Sequence, residues 1–240
     1  MKKFLVFLMI LINIACGNDS NNSDNAIIYA SLDYVYPENG TAMIPINHKF
    51  ILHFDIKINA GSVLANTTLK KTEDSTIVAL TLDNVLGSSY NTFVLKPSAL
   101  LDKNKEYTLT ISKKIQPLAN IELEKDQEIT FTTADSEDLV PVLNVSSDMK
   151  KECMKLVFNE LLNPLEVTLN TIELVRDSDE KPITRIIEYD FENKCVIVYP
   201  QETLQDGVDY KLDFGGSLLG RHITDLGGQT LSPGTITFSF

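Results

Sequence analysis

The side chains able to do chemistry are few and scattered. The chain has three cysteines, Cys16, Cys153 and Cys195, and three histidines, His48, His53 and His222. Cys16 closes an apolar N-terminal run. The other two cysteines fall in the body, where an even number leaves room for one disulfide between Cys153 and Cys195. His48 and His53 are five positions apart, which on a strand sends them to opposite faces and makes a poor metal pair. Surface or turn histidines are the simpler reading. Asp135, Glu137 and Asp138 crowd one short polar stretch, and their carboxylate oxygens could hold calcium. No calcium-loop spacing accompanies them, so a solvated linker is the simpler account and no metal site is assigned. No Gly-x-Ser-x-Gly elbow, His-Glu-x-x-His helix or phosphate-cradling loop occurs. No catalytic residue and no cofactor follow from the sequence, and a non-enzymatic role is expected.

Cys16 depends on what precedes it. Lys2 and Lys3 form a short basic start, and Phe4 to Ile12 is apolar. That run is shorter than the ~20 residues a membrane helix needs, so it reads as a cleaved signal peptide. A cysteine directly after Ala15 resembles a bacterial lipobox, in which the thiol is diacylated and becomes the mature N-terminus. Ile14 and Ala15 suit that pattern and Asn13 departs from it; an ordinary secretory signal is the alternative. The resemblance implies a signal peptide over residues 1–15 and a lipid anchor on Cys16. Gly17 follows the cysteine, where an aspartate would imply inner-membrane retention, so the outer membrane is the expected address in a Gram-negative cell. Residues 17–25 contain no apolar side chain. They cannot offset their ordering entropy by burial, and with the lipidated cysteine they form a flexible tether over residues 16–33.

Composition sets outer limits. The 240 residues suffice for one or two domains. A net charge of −12 argues against nucleic acid and anionic lipid head groups, which require a basic face; it serves solubility. Membrane contact is therefore expected through the lipid anchor only.

Beyond the tether, one pattern is written twice. Phe93-Val94-Leu95-Lys96-Pro97, Leu101 and Tyr107-Thr108-Leu109-Thr110-Ile111 answer to Val196-Ile197-Val198-Tyr199-Pro200, Leu204 and Tyr210-Lys211-Leu212-Asp213-Phe214. Pro97 to Pro200, Leu101 to Leu204 and Tyr107 to Tyr210 are each 103 positions apart (200 − 97, 204 − 101, 210 − 107). Each copy reads as a strand, a turn stopped by a proline that cannot donate to a ladder, and a second strand. Phe50, Leu52, Phe54 and Ile56 alternate with Ile51, His53, Asp55 and Lys57, the period of a half-buried strand. Val63 to Leu69, Ile77 to Leu82 and Ile129 to Thr133 are further strands of the first copy. Val140 to Val145, Met154 to Phe158, Thr171 to Val175, Ile183 to Tyr189 and Ile236 to Phe238 serve the second. Seven or so short strands per copy, separated by turn signals, predict an all-β chain of two tandem immunoglobulin-like sandwiches over residues 34–135 and 136–240. Leu101 and Leu204 each lie six residues before a tyrosine, a spacing that resembles a tyrosine corner; plain burial of the ring is the alternative.

In such an order Cys153 and Cys195 would open two strands that pair antiparallel. Their starts then lie a strand length apart, about 17 Å, beyond disulfide reach. The exported compartment favours the bond and the geometry opposes it.

Pro37-Glu38-Asn39-Gly40, Ile44-Pro45-Ile46-Asn47, the Phe50 to Ile56 strand, Tyr107-Thr108-Leu109-Thr110 and the closing Phe131-Thr132-Thr133 together resemble the SbsA-type bacterial Ig-like domain. Thr224 to Leu231 resembles that family's Asp-x-x-Gly-Asn-x-Leu turn, echoed weakly by Leu118 to Leu123. The resemblance implies a spacer or binding module of secreted and surface proteins, with no catalytic residues. The expected function is display of two domains at the cell envelope for adhesion or protein–protein interaction. A structural spacer or a subunit of an envelope complex is the alternative. Carbohydrate binding is a further one, disfavoured by the absence of tryptophan; Tyr29, Tyr34 and Tyr36 are the only aromatic cluster to serve it.

Overall fold

The computed structural model describes residues 29–83, 90–119, 121–138, 141, 148–216 and 222–240. The signal peptide, Cys16 and most of the expected strand at Val140 to Val145 lie outside them.

The first repeat is a two-sheet sandwich. One sheet has the order β1 (Leu32–Tyr36), β3 (Phe50–Phe54), β7 (Thr92–Pro97), β6 (Leu80–Leu82). The other has the order β2 (Thr41–Ile44), β9 (Gln127–Thr133), β8 (Glu106–Ile111), β4 (Thr67–Lys71), β5 (Ile77–Val78). The alternation read from Phe50 to Phe54 explains the core: Phe50, Leu52 and Phe54 meet Leu69, Phe93, Leu95, Tyr107, Leu109 and Phe131 in one buried cluster. Pairing between these strands is antiparallel except between β2 and β9. The Pro37–Gly40 turn, with Gly40 at φ +82°, feeds β2, and Asn39 Oδ1 accepts from the Thr130 amide at 2.8 Å.

One expected strand is only half a strand. Residues Ala60–Ala65 form a short helix, α1, before β4 begins. Asn59 caps it by accepting from the Gly61 amide at 3.0 Å, the local bonding that gives asparagine its N-cap preference. Val63 is buried on that helix.

The second repeat has sheets β10 (Asp148–Met149), β11 (Met154–Val157), β14 (Cys195–Pro200), β13 (Arg185–Asp190), and β12 (Ile172–Arg176), β15 (Asp209–Phe214), β16 (Gly234–Ser239). Its core, built on Met154, Leu156, Val196, Val198, Tyr210 and Leu212, is separate from the first. The registers repeat as the spacing requires. Leu52 faces Phe93 and Leu156 faces Val196, while Phe50 faces Leu95 and Met154 faces Val198.

Both tyrosine corners are present. The Tyr107 hydroxyl accepts from the Asp102 amide at 2.9 Å, and Tyr210 from the Gln205 amide at 2.8 Å. Each donor is the residue after the paired leucine. Each ring also stacks on the following strand, Tyr107 on Phe131 and Tyr210 on Phe238.

Cys153 and Cys195 are free thiols. Register explains why: Cys195 faces Val157 while Met154 faces Val198. Cys153 therefore sits four positions along β11 from Cys195's opposite number, about 13 Å at the usual rise per residue, where a disulfide cannot reach.

Candidate functional site

Where the repeats meet, three segments converge. They are the stretch before β3, the loop after β11, and the turn at residues 224–231, and the linker at Asp138 joins them. Lys49 donates its amide to the Leu226 carbonyl at 2.9 Å. The Asn47 side chain grips two segments at once: its Nδ2 donates to the Gly227 carbonyl at 2.9 Å, and its Oδ1 accepts from the Asp138 amide at 2.9 Å. Lys49 Nζ pairs with Asp83 at 2.7 Å, and Asn163 of the second repeat donates to the same carboxylate at 3.3 Å.

An apolar patch lies beside these bonds. Ile51, on the outer face of β3, is fully buried against Leu161 and Leu226. Tyr34, Tyr36, Tyr189 and Phe191 surround them, with Tyr34 stacked on Phe191 at 4.8 Å. Tyr34 and Tyr36 thus pack into the junction, and Tyr29 stands apart and exposed. Gly227 is required by contact: a Cβ there would lie 2.5 Å from Cβ of Asp138.

At the centre sit Asp138, Glu160 and Asp225, each with a carboxylate oxygen within 4.8 Å of the others. Asp225 is fully buried. Its Oδ1 accepts from the Gln229 amide at 2.7 Å and shapes the turn; its Oδ2 has no hydrogen-bond partner. Three ionised carboxylates this close repel by about 3 kcal/mol per pair at an effective dielectric of 20. Burial, followed by the Asp138 and Asp225 charges, pushes Glu160 up to about 8. Burial, with Asp138 adding to it against the turn amides, lifts Asp225 to about 6.

His48 forms the inner wall and is 4% exposed, which corrects its reading as a surface or turn histidine. The ring lies 5.2 Å from that of Tyr36. Its Nδ1 lies 3.4 Å from Asp138 Oδ2, yet neither ring nitrogen makes a hydrogen bond. Burial and neighbouring Lys49 push its pKa down to about 3, so the ring is a neutral imidazole at pH 7. His53 is half-buried, with Nδ1 2.7 Å from the Thr92 hydroxyl, and His222 is exposed.

Of the three acidic residues singled out from the sequence, only Asp138 enters the cluster; Asp135 and Glu137 are exposed. Sequence reasoning missed Glu160, Asp225 and His48 as its companions. A signal did exist. At the offset of 104 that relates Leu52 to Leu156, Glu160 answers to Ile56, an apolar position in the first copy and an acid in the second.

The chain matches the bacterial Ig-like domain family twice, over residues 28–133 and 140–240. Solved structures similar to it include the N-terminal part of the bacterial S-layer protein SbsC, at 13% identity and a TM-score of 0.34, covering 88% of this chain and 44% of that one. Domains 1–6 of SbsC match at 12% identity and a TM-score of 0.36, over 82% of this chain and 26% of that one. An alpha-2-macroglobulin fragment from Escherichia coli matches at 12% identity and a TM-score of 0.32, over 88% and 90%. The chain spans less than half the length of the SbsC chains. No curated protein matches it. Two family matches over most of the sequence, each falling on a sandwich with its own core and tyrosine corner, show that the chain belongs to the bacterial Ig-like domain family.

Proposed function

We propose that this protein is a lipid-anchored, non-enzymatic component of the bacterial cell envelope that displays two Ig-like domains for adhesion or protein–protein interaction. Bacterial Ig-like domains are typically surface and interaction modules. The observation that carries the reading is that the chain enters the first repeat at one end and the second repeat docks at the other. The described chain enters the first repeat at Ala30, bridged to Leu123. The second repeat docks at the start of β3, on residues 47–51. A lipid on Cys16 and a polar tether would therefore place the second repeat farther from the membrane than the first.

The structural-spacer reading keeps a claim because the docking contacts would hold a fixed span. Carbohydrate binding loses its aromatic platform, since Tyr34 and Tyr36 are used in the junction.

Metabolic labelling with a fatty acid analogue tests the anchor. Label on the wild type and none on Cys16→Ser is expected; label on neither contradicts it. Titration of the chain against envelope and host-surface extracts separates the two roles. Discrete saturable binding supports display, and recovery with one fixed set of envelope proteins supports a spacer or subunit.

A further inference from the structure

We propose that Asp138, Glu160 and Asp225 hold one calcium ion between the two repeats, with His48 closing the inner wall of the site. The three carboxylates come from separate segments: the linker, the loop after β11 and the turn at residues 224–231. Calcium binds oxygen at 2.3–2.6 Å, so ligands on opposite sides of one ion are roughly 4.6–5.2 Å apart. The carboxylate oxygens here all lie within 4.8 Å of one another. An all-oxygen donor set suits a hard cation, and calcium takes more oxygens in freer geometry than magnesium does, whereas soft metals prefer sulfur and imidazole.

Acidic residues gathered together would not suffice. Two buried side chains with unsatisfied polar atoms add to them, one in the cluster and one against it. Asp225 is 0% exposed and its Oδ2 has no hydrogen-bond partner. His48 is almost as buried, both ring nitrogens lack hydrogen bonds, and Nδ1 faces Asp138. Native proteins rarely leave such atoms unsatisfied, and a bound cation would satisfy the carboxylate oxygens. Among the described residues, neither Glu160 nor Asp225 forms an ion pair with lysine or arginine. Asp138 and Glu160 are only half-buried, so water can complete the six to eight oxygens calcium takes.

The first repeat supplies a control. Its positions equivalent to Glu160 and Asp225 are Ile56 and Pro117, placed by matching bridges, Ile58 to Pro117 and Leu162 to Asp225. Among the described residues, the carboxylates occur where a neighbouring repeat docks and not at the equivalent positions of the first repeat. Bound there, calcium would join the linker to two segments of the second repeat and fix the angle between the domains. This holds whether or not Cys16 is acylated.

The test strips the full chain with a chelator and titrates calcium, followed by calorimetry and thermal unfolding. One saturable site is expected, with Kd on the order of 10⁻⁴ M as in extracellular modules. Saturation should raise Tm by about 5 °C. Glu160→Gln and Asp225→Asn should each weaken binding by at least ~10-fold, because affinity follows ligand charge. Three results would overturn the proposal: no heat and no Tm change in the wild type at millimolar calcium; binding undiminished in both variants; or a site that prefers zinc and is lost in His48→Gln. The wild-type titration stands even if a variant fails to fold.

Discussion

Leu118 and Leu226 occupy the same place in the two repeats, and one is 58% exposed while the other is fully buried. Their scaffolds coincide. Asn59 donates to the Gln116 carbonyl at 2.9 Å, as Asn163 does to Thr224 at 2.7 Å. The Gln116 amide donates to Ser62 Oγ, as the Thr224 amide does to Glu166. The surroundings differ: Leu226 lies under Ile51 of the preceding repeat, and among the described residues Leu118 has no such cover. One fold thus carries two kinds of end. Positions shared by the repeats build the sandwich, and positions where they diverge build the junction.

The largest test of that contrast is a pair of truncations. Leu226→Ala should cost about 2–5 kcal/mol, the range for buried leucines, and Leu118→Ala less than about 0.5 kcal/mol, measured by denaturant unfolding. Equal costs would mean that the junction contributes nothing. Gly227→Ala comes next. Its new methyl would meet Asp138 Cβ at 2.5 Å, on a residue whose backbone is already tied to Asn47, so overpacking should cost about 1–3 kcal/mol and loosen the docking. The corners should behave alike: Tyr107→Phe and Tyr210→Phe each lose one hydrogen bond, about 1 kcal/mol, and a large difference between them would deny their equivalence.

The smallest effect is on pH dependence with calcium chelated. Glu160 is raised from 4.5 to about 8, so between those values the folded chain holds a proton the unfolded chain has released. Stability therefore falls as pH rises across that window. Asp225, raised from 3.8 to about 6, acts in the same sense at lower pH. His48, lowered from 6.5 to about 3, acts oppositely, since its unfolded form takes up a proton the folded form refuses. Their effects overlap below pH 6.5, which leaves Glu160 alone from 6.5 to 8. A decline there that disappears in Glu160→Gln is expected in thermal melts.

Much of the fold could be read from the chain because it rests on local rules applied twice. The 103-residue offset, the prolines ending β7 and β14 and the leucine–tyrosine spacing all found their structural counterparts. The helix at Ala60–Ala65 was less legible, because Val63 satisfies a strand pattern as well as a helical one and the Asn59 cap decides between them. The junction was legible only in part. Its carboxylates lie far apart in sequence, and His48 is buried beside Tyr36 and Asp138, contacts that no local period records. Ile51 shows the same effect: alternation marks it as outward-facing, and the second domain buries it.

Small-angle scattering of the full chain tests the central claim, that the second repeat is docked on the first in one arrangement. A single arrangement matching these contacts should describe the wild type, with a larger maximum dimension in Gly227→Ala. Wild-type data that require many interdomain angles, unchanged by that substitution, would contradict it.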